Sequence, residues 1–467
     1  MWRSLVSTVF LAYSVFGTFE DFSSSDTSIK CPAVTKEQNE RIYPPRFRGV
    51  WTSSRCETRP GPEFIIRKYI FRRRTFTLYQ FYYSDPQCSR PKYTIKAEGS
   101  IKVDQMSWVV QGGAEAEYRL DNVTITPYSK QFARKLNKHI RLSCKSLYGI
   151  NVKPHKQYRI FNFPRYNKGK YKQFKDYDCL DMLSISFHEL QLLKVELYHR
   201  TKPFKSFIHN NRLTSHQRPA RLLYLGNIHT DMTQRRTYRP SSYQTPLLRG
   251  NTKDCLICRK LKKSNELKPP KFHKNHEEKR KIIDGYWTSK SCETRSYGQF
   301  VKRSLVFHPN GVSWEGDYDF YRDPDCKHAS LSVFVSGDYI KERESGVIPG
   351  TSDFKFNITQ MSLTPRDFFT TDTLNHVRNH TCGLTGSWKV NSRQSLVSTN
   401  GCEILGLRVP TTEYEIIRIE SGDELLLVGE RPTDGKNLSG PDVRPTSFQP
   451  PLVRCMIERI NNELPHL

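Results

Sequence analysis

The chain has 467 residues, and 74 lysines and arginines against 47 aspartates and glutamates give it a formal net charge of +27 at pH 7. This length allows two or three domains, each with its own core. The charge favours acidic partners such as heparan sulfate, anionic headgroups or acidic protein surfaces, although basic runs such as residues 72–74 also suit a solvated face.

The first 17 residues have the pattern of a secretory signal peptide. Arg3 precedes an apolar run over residues 5–16, and Gly17 is a small residue at the expected cleavage point. The run is too short to cross a bilayer as a helix. Residues 18–48 then read as a loose N-terminal arm that is tied down at Cys31. An extracellular protein follows from this, and nucleic acid is therefore excluded as a partner.

A tandem repeat organises the rest of the chain. The segment GVWTSSRCETR at residues 49–59 returns as GYWTSKSCETR at residues 285–295. We predict a first repeat domain over residues 49–255, a second over 282–455 and a tail over 456–467. Residues 256–281 between them carry mixed charges and two adjacent prolines, so we expect an exposed and poorly ordered linker.

Both repeats have the composition of antiparallel β-structure. In the first, strands are predicted at residues 63–71, 75–79, 93–97, 107–110, 185–190 and 222–226. In the second, Val312, Trp314, Tyr318 and Phe320 alternate with polar residues, and strands are predicted at 414–420 and 425–429. One helix per repeat is predicted, at 128–142 and 366–378. The fold class is mainly β with minor α: two tandem homologous antiparallel β-barrels or half-barrels, lipocalin-like because each opens on Gly-x-Trp.

Twelve cysteines behind a signal peptide indicate disulfides. They are Cys31, Cys56, Cys88, Cys144, Cys179, Cys255, Cys258, Cys292, Cys326, Cys382, Cys402 and Cys455. The repeat sorts them six and six, which predicts Cys31 with Cys255 and Cys258 with Cys455. Pairing Cys56 with Cys88 and Cys144 with Cys179 is one of three ways to join the remaining four in the first repeat. Glycosylation sequons begin at Asn122, Asn357, Asn379 and Asn437.

No catalytic motif is present, so we do not expect an enzyme, and we expect no cofactor. His376, His380 and Cys382 have a spacing that a metal could use, but a disulfide at Cys382 is the expected arrangement and no metal site is predicted. Cys255-x-x-Cys258 resembles a redox or zinc pair, yet the repeat favours pairing each cysteine within its own domain. Glu57 and Arg59 are expected to form a structural ion pair beside a disulfide.

Several motifs together resemble one family. They are GVWTSSRCE at 49–57, RPGPEFI at 59–65, YQFYY at 79–83, GGAEA at 112–116, HELQL at 188–192, RPSSYQ at 239–244, CLIC at 255–258 and TEYEI at 412–416. This set, spread from Gly49 to Cys455, resembles the adenomatosis polyposis coli down-regulated family of Wnt antagonists. The resemblance implies an extracellular glycoprotein that lowers Wnt signalling by binding Wnt and its lipoprotein-receptor-related co-receptor. A homodimer is kept among the expected assemblies.

Family members look like single-pass membrane proteins with a C-terminal anchor. No such anchor is evident in this sequence, so the expectation is either a secreted protein or a cell-surface protein whose anchor is missing from the chain. Because Wnt carries an acyl chain, a barrel could bind it in a cavity. We place that cavity in the first repeat, lined by Trp51, Phe64, Ile66, Phe76, Leu78, Trp108, Tyr118 and Leu120. The alternatives are that these residues fill a solid core, and that the protein is a heparan-sulfate or matrix module without a lipid pocket.

Overall fold

The computed structural model describes residues 27–31, 40–144, 149–163, 177–198, 220–252, 255–272, 282–377, 381–420 and 424–459. The predicted signal peptide, the long segment 199–219 and the sequon asparagine Asn379 lie outside these residues. Within them, none of the helices has the length and apolar character needed to span a bilayer.

In the described residues before the linker, the arm and the first repeat form thirteen strands and one long helix. They are β1 (Thr27–Lys30), β2 (Glu40–Arg41), β3 (Gly49–Thr52), β4 (Glu57–Arg59), β5 (Glu63–Phe71), β6 (Thr75–Tyr83), β7 (Pro91–Met106), β8 (Ala114–Pro127), α1 (Lys130–Ser143), β9 (Tyr158–Asn162), β10 (Tyr177–Asp178), β11 (Leu192–Tyr198), β12 (Ala220–Leu225) and β13 (Leu247–Arg249). Eight of these strands, β3, β5–β8 and β11–β13, form a closed antiparallel ring, which confirms the predicted barrel.

The second repeat builds a similar ring. Its elements, with the helix that precedes it, are α2 (Leu256–Lys262), β14 (Gly285–Ser289), β15 (Glu293–Thr294), β16 (Phe300–Phe307), β17 (Ser313–Tyr321), β18 (Ala329–Glu344), β19 (Ser352–Pro365), α3 (Phe368–Asn375), β20 (Gln394–Ser395), β21 (Gly401–Cys402), β22 (Leu407–Arg408), β23 (Thr411–Glu420), β24 (Leu425–Val428), β25 (Leu452–Arg454) and β26 (Met456–Arg459). The ring runs through β14, β16–β19 and β23–β25. Each strand of one ring therefore has a counterpart in the other.

Local sequence explains where several elements begin and end. In β5 and β6 every second side chain faces the core of the first barrel, as the period of two requires, and Trp51 at the start of β3 is fully buried beneath them. Ser129 caps α1 by accepting a hydrogen bond from the backbone N–H of Phe132. Asp367 does the same for α3 through Thr370. Both predicted helices are thus confirmed within the described residues.

Three sequence-based strand assignments were wrong. Residues 107–110 form a turn, because Ser107 accepts backbone hydrogen bonds from Val109 and Val110. Residues 185–190 are not a strand, since a 3₁₀ turn occupies His188–Gln191 and the strand begins only at Leu192. Val312, expected on the buried face, is 50% exposed because it belongs to the tight turn before β17.

The linker also differs from expectation. Its described part, residues 256–272, begins with α2, whose Leu261 is fully buried. Leu261 packs in an apolar cluster with Phe64, Ile66, Ile348 and Ile416, which joins the outer face of the first barrel to the second repeat. Two prolines and mixed charges suggested disorder, but burial of Leu261 in this cluster fixes the start of the linker against both repeats.

The disulfides correct one part of the predicted pairing. Cys56–Cys88 and Cys144–Cys179 are as proposed, and Cys292–Cys326 and Cys382–Cys402 complete the second repeat. Cys31 pairs with Cys455 instead of Cys255, because β1 pairs with β26 and brings the two together. Cys255 pairs with Cys258, since a helical turn separates them at the start of α2. The prediction that each repeat pairs its own six cysteines is therefore wrong for two bonds, Cys31–Cys455 and Cys255–Cys258, which both cross between the two sets.

Candidate functional site

The wall of the first barrel has an opening that the second barrel lacks. Strand β8 pairs with β11 only at Ala114 and Glu115, and it pairs with β9 only from Asn122 onward. Among the described residues, no strand covers the edge of β8 between these two pairings. In the second barrel, β23 pairs continuously with β19 from Ser352 to Ile358. The first barrel is therefore open where the second is sealed.

A buried carboxylate explains why the strand is interrupted. Glu189, in the 3₁₀ turn before β11, is fully buried and accepts hydrogen bonds of 2.8 Å from the Tyr69 hydroxyl and from the Gln80 amide. The register of the repeat places Leu305 where the first barrel has Tyr69, so the second barrel lacks this hydroxyl. The matching Glu413 instead pairs with Arg431 at 2.6 Å and stays within its strand. Tyr69 and Gln80 thus draw residues 188–191 out of register with β8.

The opening leads to a cleft of about 710 Å³, within the range of small-molecule pockets. Its lining combines apolar and aromatic side chains with charged groups on the β8 edge and at the rim. The lining residues are Asp104, Glu115, Ala116, Glu117, Tyr118, Arg119, Leu120, Phe161, Phe163, Gln191 and Arg239. Tyr118 and Leu120 also pack against the buried core of the barrel, so the cleft reaches that core.

Smaller side chains in the first barrel, in addition to the missing strand pairing, account for the space of the cleft. In the second barrel, Phe354 contacts Phe356 and Tyr339, with ring centroids 6.1 Å apart in each case. The register of the repeat places Ala116 where the second barrel has Phe354, and Ile101 where it has Tyr339. One aromatic ring is therefore missing from the cleft itself, at Ala116, and a second is missing at the buried Ile101, which pairs with the cleft residue Tyr118. Such a loss leaves room unless the surrounding backbone collapses.

The rim of the cleft is charged. Arg239 donates a 2.6 Å hydrogen bond to Glu115, and its guanidinium lies 5.9 Å from the ring of Trp108. On the other side, the guanidinium of Arg119 lies 5.1 Å from the ring of Phe163. Deeper in the cleft, burial, and secondarily the nearby charge of Glu189, raises the pKa of Tyr118 above its usual range. The Tyr118 hydroxyl is therefore neutral at physiological pH.

The polar network behind Tyr118 is incompletely paired. Arg59 lies 3.8 Å from Glu189. Burial, the largest single influence, lowers the pKa of Arg59, but Glu189 together with Tyr82, Tyr69 and Glu57 raises it above its usual value. One oxygen of Glu189 and two nitrogens of Arg59 are buried without a hydrogen-bond partner among the described residues. Such groups ordinarily bind buried water or a ligand. The network gives the first barrel a polar region beside an apolar wall.

The eight predicted cavity residues fall into four groups. Tyr118 and Leu120 line the cleft. Trp51, Phe76 and Leu78 lie in the buried core of the first barrel, with at most 2% exposure. Phe64 and Ile66 were wrongly placed inside, because they alternate with the inward Ile65 and therefore face the second repeat. Trp108 was also wrongly placed inside, since it is 76% exposed and reaches the cleft only through Arg239.

The expected ion pair between Glu57 and Arg59 forms differently in the two repeats. In the first repeat Glu57 pairs with Arg67 at 2.7 Å, and Arg59 pairs with Glu189 at 3.8 Å instead. In the second repeat Glu293 is bound by both Arg303 and Arg295, so the expected pair exists there. These pairs lie beside the disulfides of Cys56 and Cys292, as a structural role would require.

Sequence reasoning missed Ala116, Phe161, Phe163, Gln191 and Arg239. For Ala116 a signal existed, because alignment of the repeats sets it opposite Phe354 and so marks a loss of volume. Phe161 and Phe163 lie in and just after β9, whose counterpart β20 has only two residues, so comparison of the repeats gave no signal for them. Of the sequon asparagines, Asn437 is exposed, Asn357 is half-buried, and the amide of Asn122 donates to Glu98 at 3.3 Å.

Comparison with known families is consistent with this architecture. The family model described as adenomatosis polyposis coli down-regulated 1 matches residues 29–273 and 275–462. The match covers nearly the whole chain, and its two segments agree with the tandem barrels. It rests on the same two repeats whose motifs carry the resemblance seen in the sequence. The chain belongs to the adenomatosis polyposis coli down-regulated 1 family.

Proposed function

We propose that this protein is an extracellular inhibitor of Wnt signalling that binds the acyl chain of Wnt in the cleft of the first barrel and also binds the Wnt co-receptor. Family membership supports a role in Wnt signalling, and the six disulfides suit an oxidising, extracellular environment. The single observation that supports the lipid-binding mode is the opening beside Ala116, Tyr118 and Leu120, which the second barrel lacks. Inhibition then needs binding alone and no catalysis.

Burial of the acyl chain supplies the driving force in this proposal. Transfer of about a dozen methylenes from water would contribute roughly 10 kcal/mol before the cost of association. The apolar side of the cleft, formed by Leu120 and Phe161, would contact the chain. The charged rim would remain in contact with the Wnt polypeptide or with water. An acyl chain held there is withheld from its receptor.

Native mass spectrometry of the full secreted chain tests the proposal. A palmitoleoylated Wnt peptide and its unacylated twin are each mixed with the wild type and with Ala116→Phe, which restores the aromatic ring found in the second barrel. We expect only the acylated peptide to bind the wild type, and we expect Ala116→Phe to lose that binding at least tenfold. Equal binding of both peptides, or none, would contradict the proposal.

Lys355→Phe is the matched control. Lys355 occupies the β19 position next to Phe354, on the outer side of the sealed barrel. This substitution adds the same side chain without touching the cleft, so acyl binding should be unchanged. If Lys355→Phe reduced binding as much as Ala116→Phe, the cleft would not be the site.

A further inference from the structure

A second segment of the first repeat has a charge composition that the cleft does not explain. Between Asp121 and Asp176 the sequence has 14 lysines and arginines and no acidic residue. With 47 acidic residues in 467, a stretch of this length would be expected to contain about five. The corresponding stretch of the second repeat, residues 360–402, has four basic and two acidic residues. The excess of positive charge therefore belongs to the first repeat alone.

Helix α1 carries the centre of this charge. Its apolar positions Ala133, Leu136 and Ile140 are at most 3% exposed and pack into the barrel core. Four cations are exposed on the opposite side of the helix, and three of them share the spacing i, i+4, i+8. They are Lys130, Arg134, Lys135 and Lys138. At 1.5 Å per residue this row is about 12 Å long. We call these four residues the α1 ridge.

The neighbouring segment extends the same surface. Asn137 of α1 bonds the backbone of Val152, with its Oδ1 accepting from the Val152 N–H at 2.7 Å and its amide donating to the Val152 carbonyl at 3.2 Å. This contact holds residues 151–153 against the helix. The cations Lys153, Lys156 and Arg159 are exposed there. Lys92 lies close by, since its pKa is lowered first by burial and then by the charge of Lys135.

These cations have no acidic partners within the described part of the chain. None of the α1 ridge residues, nor Lys153, Lys156 or Arg159, forms an ion pair there. Two carboxylates near this part of the repeat are bound by other cations: Glu63, which influences Lys92, by Arg235 at 2.9 Å, and Glu266, whose carbonyl accepts from Tyr128, by Lys96 at 3.7 Å. The positive charge is therefore free to bind an external anion.

The arrangement also opposes helix stability. A helix prefers acidic side chains in its first turn, yet α1 has none there and begins with Lys130. Like charges at i and i+4, as in Lys130, Arg134 and Lys138, cost about 0.2 to 0.5 kcal/mol per pair. Helix α3, at the same place in the second repeat, has Asp367 as its N-cap and Asp372 within it. A purely structural helix has no need of the unfavourable pattern in α1.

We propose that the α1 ridge, together with Lys153, Lys156 and Arg159, binds a sulfated glycosaminoglycan chain such as heparan sulfate. A row of exposed cations without a pocket suits a long, linear polyanion better than a small anion, which needs converging donors. An anionic membrane fits less well, because a helix that binds a bilayer inserts its apolar face, and that of α1 is already buried in the barrel. No residue of this surface lines the cleft, so the inference does not depend on the proposed acyl binding.

Binding of the full-length protein to immobilised heparan sulfate at several NaCl concentrations tests the inference. The ridge variant, K130Q/R134Q/K135Q/K138Q, keeps residues with good helix propensity. The control variant, R72Q/R73Q/R74Q/K102Q, removes four exposed cations from the β5–β6 turn and its neighbour on β7. We expect the ridge variant to lose at least about tenfold in affinity at 150 mM NaCl, and the slope of log affinity against log salt to fall by about two to four. The control variant should lose less than about threefold.

Three results would overturn the inference. Equal losses in both variants would mean that net charge alone drives binding. No loss in the ridge variant would place the site elsewhere. Binding to vesicles of phosphatidylcholine and phosphatidylserine, lost in the ridge variant while heparan sulfate binding stays unchanged, would make the partner a membrane. If the ridge variant fails to fold in a thermal unfolding test, K153Q/K156Q/R159Q, which leaves α1 intact, serves instead and should lose at least about fivefold.

Discussion

Arg67 binds the buried carboxylate of Glu57 with two hydrogen bonds, from Nε at 3.0 Å and from Nη2 at 2.7 Å. The same Nη2 also donates to the carbonyl of Thr245. In the second barrel Arg303 holds Glu293 and the carbonyl of Pro450 in the same way. The arrangement ties β4 and β5 to the segment before β13, and its counterpart does so before β25. In each barrel, therefore, the same internal ion pair holds these three segments together.

Removal of one partner should be costly. Glu57→Gln leaves the fully buried Arg67 without its counter-charge, and breaking such a pair typically destabilises a protein by about 3 to 5 kcal/mol. We expect Glu293→Gln to have a similar effect on the second barrel. Chemical denaturation measures both. Asp434→Asn, which breaks the more exposed pair with Lys436, should have a much smaller effect, because solvent screens that pair. A Glu57→Gln variant as stable as Asp434→Asn would show that the buried pair does not stabilise the barrel.

The second barrel should become less stable as the pH rises, because of Glu415. Burial, offset by Arg431 and reinforced by Glu413, raises the pKa of Glu415 to about 8, and one carboxylate oxygen has no hydrogen-bond partner among the described residues. A carboxyl whose folded pKa exceeds its unfolded value of about 4.3 binds more protons in the folded state. Its contribution to stability is then present at low pH and is lost as the pH rises from about 4 to 8.

Glu415→Gln should therefore stabilise the protein at pH 8, on the order of 1 to 3 kcal/mol, and flatten the dependence of the unfolding free energy on pH. Glu413→Gln is the matched control on the same strand. It removes the partner of Arg431, so it should destabilise the protein at pH 8. Thermal unfolding from pH 5 to 8 distinguishes them. Destabilisation by Glu415→Gln at pH 8 would mean that Glu415 is ionised and favourably paired.

The missing ring in the first barrel predicts an asymmetry between reciprocal substitutions. Phe354→Ala should cost about 3 to 5 kcal/mol, because it creates a cavity in a sealed core. Ala116→Phe should change stability by less than about 1 kcal/mol, since the cleft already has room for the ring. Denaturation of both variants without any ligand provides the measurement. A loss of 2 kcal/mol or more in Ala116→Phe would show that the space beside Ala116 is filled.

The two barrels follow from features that the sequence states directly, whereas the cleft depends on contacts between distant residues. The β-branched and aromatic composition of β5 and β6, the alternation in β17 and the repeated Gly-x-Trp were enough to predict antiparallel barrels. The opening depends on Glu189 meeting Tyr69 and Gln80, which are more than 100 residues away in sequence. The apolar residues at 185, 187 and 190 also led to the prediction of a strand at 185–190. The hydrogen bonds of the buried Glu189 instead hold this segment in a 3₁₀ turn. Phe64 and Ile66 were misplaced for a similar reason: both faces of β5 are apolar because each meets a core.

The disulfide pairing likewise depends on contacts between distant residues that the sequence does not reveal, and it can be tested directly. Symmetry between repeats predicted that each domain would close on itself, but β1 pairs with β26 and carries Cys31 to Cys455. Tryptic digestion without reduction should release residues 254–259, DCLICR, two hydrogens lighter than the dithiol form. Residues 31–36 should remain joined to residues 455–459. Joined fragments that link Cys31 to Cys255, or Cys258 to Cys455, would contradict this pairing. As a control, Cys255→Ser should expose one free thiol at Cys258 and leave the bond between Cys31 and Cys455 intact.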